Sequence, residues 1–129
     1  MTVERDNVEL VRSIYTCWAR RLDGREHFHP EIEWSLPDPG GQVKGAERVG
    51  AFLRDFIASW SDHDIELEEV RALDAERLLV LFLERARGRE SGVETIARPA
   101  AVWTLRDGKV VRFEGFGDRE AALKRPGGD

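Results

Sequence analysis

Apolar residues recur at helical spacing in two long stretches and in strand-like runs from Ile65 onward, and this division confines the chain to helices packed against one sheet. Val8, Val11, Ile14, Tyr15, Trp18 and Leu22 follow the i, i+3, i+4 rhythm of one helix face, which predicts a first helix of about four turns, with Asp6 or Asn7 as its cap and Gly24 closing it. Val49, Phe52, Leu53, Phe56 and Trp60 form a second stripe and predict a helix over 45–60, broken by Ser61 to Asp64.

Between the helices, Pro30 stops helical continuation, and Ile32, Trp34 and Leu36 alternate as one face of a short strand over 31–36. Pro37 to Gly41 reads as a loop. Four further strands are expected at 65–73, 77–87, 93–105 and 109–116, in an antiparallel meander. The last two flank Asp107-Gly108, a tight-hairpin pair. The alternating charges of Glu84 to Glu90 read as a solvated hairpin tip, and Asp118 is placed to cap a short helix over 119–124.

With 129 residues, 41% of them apolar, the chain can build one real core, and residues 1–129 are read as a single domain. The basic residues are scattered within a net charge of −5, which argues against nucleic acid as a partner. Cys17 is the lone cysteine, so no intramolecular disulfide forms, and no apolar run approaches the ~18 residues of a membrane span. A cytoplasmic location is the expectation.

Three stretches carry a family resemblance: Phe28-His-Pro-Glu-Ile-Glu-Trp34; Lys44-Gly-Ala-Glu47; and Trp103-Thr-Leu-Arg-Asp-Gly-Lys-Val-Val-Arg-Phe113 with Asp118-Arg-Glu-Ala-Ala-Leu123. In order and spacing they resemble SnoaL-like proteins of the NTF2-like superfamily. The resemblance implies an α+β cone in which a curved antiparallel sheet wraps around N-terminal helices, commonly dimerising through the sheet. Its members include polyketide cyclases, ketosteroid isomerases and epoxide hydrolases, so the fold leaves the reaction open. Relatives usually carry a fuller helix before the His-Pro turn, where this chain offers only Asp23 to His27.

The same resemblance marks two residues. Ketosteroid isomerases have an Asp-Pro at the place of Asp38, where the aspartate shuttles a proton, and a tyrosine at the place of Tyr15 that donates to the developing oxyanion. Asp38 and Tyr15 are therefore the candidate catalytic pair. Plain alternatives stand beside them, a turn aspartate and a core tyrosine. The second acid of the isomerase site falls near Ala100 and Ala101, which cannot donate a proton, so that reaction lacks a part.

Pocket-lining positions are assigned to Trp18, Trp34, Phe56, Trp60, Phe82, Trp103 and Phe116, large rings that can line a cavity as readily as fill a core, with His29 and Glu114 as further titratable candidates. Glu84, Arg85, Arg98 and Glu114 lie on strands whose alternation must send some of them inward, with Arg112 and Glu114 read as a surface ion pair between strands. His63, between Asp62 and Asp64, reads as a charged loop residue. His27, His29 and Glu31 lack a fourth donor for a metal, and no phosphate loop or nucleophile elbow is present, so neither metal nor cofactor is expected.

The aromatic set and the resemblance thus point to a pocket for a small apolar molecule, and the resemblance implies a homodimer. Three uses of it stay open: cofactor-free acid–base catalysis, ligand binding without reaction, or a dimerisation module with a vestigial cavity.

Overall fold

The computed structural model describes residues 3–36, 41–117 and 119–124. In chain order they form α1 (Val3–Ala19), a 3-10 turn (Arg25–His27), β1 (Phe28–Ser35), β2 (Gln42–Lys44), α2 (Ala46–Ala58), β3 (Trp60–Ala72), β4 (Arg77–Gly88), β5 (Glu94–Ala97), β6 (Ala100–Arg106), β7 (Lys109–Phe116) and α3 (Arg119–Lys124).

The sheet runs β2-β1-β7-β6-β4-β3, with β5 also paired to β4, so it is open rather than closed into a barrel. The meander expected from β3 onward is present. β1, however, joins it parallel to β7, so the sheet is mixed rather than wholly antiparallel. Alternation fixes which face of a strand is buried but not which strand lies beside it.

At the β6–β7 hairpin, Asp107 and Gly108 both take positive φ, 52° and 77°, as a two-residue type I′ turn requires. Further along, Thr104 faces Arg112 but Leu105 faces Val110, so Val111 is an extra residue on β7. Because of this bulge, Val110 rather than Val111 joins Phe113 in the core.

β5 and β6 are two parts of the expected single strand. Leu81 pairs with Ala100 and Glu84 with Ala97, with two residues between these pairs on each strand, so nothing is inserted between them. Pro99 simply has no N–H to give the ladder.

The core follows alternation. Ala101, Trp103 and Leu105 of β6 face Val11, Ile14, Tyr15 and Trp18 of α1 and Val49 and Leu53 of α2. On the opposite face Leu79, Ala100 and Val102 pack with Ala122 of α3. Burial on both faces explains the unbroken apolar run Leu78 to Leu83. Glu68, the extra residue of a β3 bulge between Leu67 and Glu69, is ion-paired with Arg119 of α3.

Both ends of the first helix differ from expectation. It begins at Val3, so Asn7 lies inside it, buried, with Nδ2 donating to the Ala75 carbonyl at 3.2 Å. It ends at Ala19, and Arg21 (φ 64°) takes the left-handed position while the Leu22 N–H donates to the Cys17 carbonyl at 2.8 Å. The guanidinium of Arg21 donates to the carbonyls of Ile57 and Trp60, contacts that offset the cost of a non-glycine residue in this conformation. Asp118, the expected cap of α3, lies outside the described residues. Residues 61–64, expected to be a break, continue β3.

Candidate active site

The inner face of the sheet and the two long helices leave a cavity of about 220 Å³. Its deep wall is made by the buried rings of Trp18, Trp34, Phe82 and Phe113, with Trp34 stacked on Phe113 at 3.9 Å between ring centres. Half-buried Leu36, Phe52, Phe56, Ile65 and Phe116 line it nearer solvent.

Among the described residues, two titratable side chains line this apolar space, His63 and Glu84. The His63 Nε2 and the Glu84 Oε2 are 2.8 Å apart, with the imidazole 3% exposed and the carboxylate 23%. Strand register creates the pair: Ile65 faces Glu84 and His63 faces Ala86, so the two side chains are diagonal neighbours on the cavity side of β3 and β4. With Nε2 protonated, the neutral imidazole donates to the carboxylate and leaves Nδ1 as an acceptor. The carboxylate keeps a second oxygen for a ligand. A carboxylate held this way can take or return a proton, oriented by the ring behind it.

Of the residues singled out in the sequence, Trp18, Trp34, Phe56, Phe82 and Phe116 line the cavity. Tyr15 and Trp103 stand one layer behind it. The Trp103 indole donates to the Tyr15 hydroxyl at 3.3 Å, and Tyr15 packs on Trp18 and Phe82 at 4.9 and 5.3 Å. Trp60 packs on Phe56 at 5.8 Å without reaching the cavity.

His29 lies in a charged surface depression with Glu31, Glu33 and Arg112, its Nδ1 accepting from the Glu31 N–H at 3.0 Å. Glu114 pairs with Arg112 at 3.6 Å, the strand ion pair its parity suggests. Asp38, two positions beyond Leu36 in the sequence, lies outside the described residues.

His27 falls not with His29 and Glu31 but with Cys17 and Glu26, their donor atoms within 4.8 Å of one another. No fourth donor joins them among the described residues, which leaves the set short of a tetrahedral shell.

The His63–Glu84 pair escaped the sequence reading because Asp-His-Asp resembles a loop. Its signal was alternation carried two residues further, from Ile65 back to His63 and from Phe82 on to Glu84.

No curated protein matches the sequence. Among solved structures, an NTF2-like protein of unknown function from Burkholderia pseudomallei K96243 shares 26% identity, with 92% of this chain and 95% of that one covered at a TM-score of 0.78. The RV0760c protein of Mycobacterium tuberculosis, solved with estradiol-17beta-hemisuccinate, is 15% identical, with 89% and 95% covered and a TM-score of 0.74. SalBIII, an epoxide hydrolase/cyclase-like enzyme of pyran ring formation in the polyether salinomycin, is 14% identical, with 93% and 96% covered and a TM-score of 0.80. At 14% and 15% identity the likeness is one of fold. Residues 11–113 match the SnoaL-like domain, most of the chain's length, and the chain belongs to that family.

Proposed function

We propose that the chain holds a small, mostly apolar molecule in its aromatic cavity and moves a proton on it with Glu84, positioned by His63, as a cofactor-independent enzyme of isomerase, cyclase or hydrolase type. The observation that carries this reading is the His63–Glu84 pair itself, an acid–base couple set into a wall otherwise built of rings and aliphatic side chains. An exposed ion pair would be unremarkable; one facing a cavity is where a proton transfer can be shielded from water. Two proteins of similar fold, a hydrolase/cyclase-like enzyme and a protein solved with a steroid ester, are in keeping with it.

The cavity lies below the ~300 Å³ at which pockets for drug-sized ligands begin, so a molecule of one or two rings fits it better than a steroid. In this reading Tyr15 supports the wall rather than touching the ligand. Asp38, the base implied by the family resemblance, is retained as a second candidate.

The test is proton transfer on bicyclic probes, read as hydrogen–deuterium exchange of 2-indanone in deuterated water and as hydration of indene oxide. The proposal expects at least one of these to be accelerated by the wild type and slowed about 100-fold in Glu84→Gln, a typical size for loss of a general acid or base. Wild-type rates equal to buffer, or an unaffected Glu84→Gln with a strongly impaired Asp38→Asn, would overturn the assignment to Glu84. Binding of the probes without acceleration would favour a non-catalytic ligand carrier.

A further inference from the structure

The charge of the cavity wall makes a further selection. Among the described residues no lysine or arginine lines the cavity, whose charged member is the Glu84 carboxylate. The cationic side chains nearest in sequence are engaged elsewhere. Arg85 alternates to the opposite face of β4, Arg98 is within 4.0 Å of Glu68, and Arg119 donates to the carbonyl of Phe82 and to Glu68.

The same cavity is lined by aromatic rings from five elements: Trp18 of α1, Trp34 of β1, Phe52 and Phe56 of α2, Phe82 of β4, and Phe113 and Phe116 of β7. Aromatic faces carry partial negative charge, and rings gathered about a site attract cations, most strongly where water is thin. The groups that would stabilise an anion are scarce in the same wall. Tyr15, whose hydroxyl accepts from the Trp103 indole, stands behind the wall and does not line the cavity, and the His63 Nε2 is committed to Glu84. A negative ligand would meet rings and a carboxylate; a positive one would meet rings and a counter-ion.

We infer that the cavity selects positive charge, and that its ligand is a small lipophilic ammonium or a neutral molecule that becomes cationic as it reacts. This rests on the proposed function only in using the same cavity and the same Glu84. It deepens that reading by setting the direction of the chemistry. An epoxide or acetal suits this wall: the acid form of Glu84 gives its proton to the oxygen as the C–O bond breaks, and the carboxylate so formed faces the positively charged carbon. Water or a hydroxyl of the ligand then adds to that carbon and returns a proton to Glu84. A ketone that must form an enolate lacks an oxyanion donor in it.

Three soluble molecules of nearly one shape separate charge from size: choline, 3,3-dimethylbutan-1-ol and 3,3-dimethylbutanoate. Titrations followed by tryptophan fluorescence should place choline at least tenfold tighter than the neutral alcohol, with the carboxylate weakest. In Glu84→Gln the preference for choline over the alcohol should shrink several-fold while the alcohol binds as before. Phe56→Leu, which keeps the apolar bulk and removes one ring, should also weaken choline selectively.

Melting curves of both variants confirm that they are folded. Equal affinities for choline and the alcohol, tightest binding of the carboxylate, or no choline binding at 100 mM would overturn the inference. If the preference is absent while Glu84-dependent proton transfer on the bicyclic probes persists, the inference fails and the proposed function stands.

Discussion

The Tyr15 phenol is buried, and desolvation raises its pKa, with the hydrogen bond from Trp103 opposing the rise and the charge of Glu84 adding to it. The folded protein therefore keeps this group neutral where an unfolded chain would ionise it. The stability it contributes is complete below about pH 10, its ordinary value, and falls as pH climbs beyond that toward the raised folded-state pKa. Tyr15→Phe should remove that alkaline component from a denaturation series while costing about 1 kcal/mol at neutral pH, because the Trp103 N–H loses its acceptor. If Tyr15 instead acts on the ligand, Tyr15→Phe will lower turnover far more than it lowers stability.

His63→Gln preserves a donor to Glu84 but not the ring that fixes it. It should slow proton transfer less than Glu84→Gln and change the pH profile of the rate, a shift that a purely structural role would not produce. Neither residue was legible as a site in the sequence. A carboxylate and an imidazole 21 positions apart become neighbours only through the register of β3 and β4, a non-local property that alternation narrows and cannot assign. The aromatic wall was more legible. Trp18, Trp34, Phe56 and Phe82 follow from periodicity, whereas Trp60 and Trp103 share the same stripes and stop short of the cavity.

The β6–β7 hairpin was the most readable element because its turn chemistry is local. Gly108→Ala forces a side chain into φ 77° and should cost about 1 kcal/mol, measured by chemical denaturation, with the Arg106–Lys109 pairing retained. A cost near zero would mean that the turn tolerates another conformation.

The start of α1 was not readable, since Asn7 looks like a cap in sequence and becomes an internal tether to Ala75 only in the folded chain. Asn7→Ala should lose about 1 kcal/mol through that single bond between α1 and the β3–β4 turn. The parallel pairing of β1 with β7 was equally hidden. More than half of the chain lies between these strands, and no local pattern names a partner so distant.

Taken together, the open sheet, α1 and α2 bury rings on one side of the strands and α3 seals the other, and the space left over is small and ring-lined. Its size predicts that a bicyclic aromatic binds at least tenfold tighter than estradiol, measured by fluorescence titration; the reverse order would mean a larger working cavity.

The central claim is that ligands enter this cavity and meet Glu84. Its most direct test is a nuclear magnetic resonance titration of the isotopically labelled protein with a bicyclic ligand. Progressive shifts at the Trp18 and Trp34 indoles and at the backbone amides of His63, Phe82 and Glu84 are the predicted result. Shifts confined to the charged outer depression around His29, Arg106 and Arg112 would contradict it.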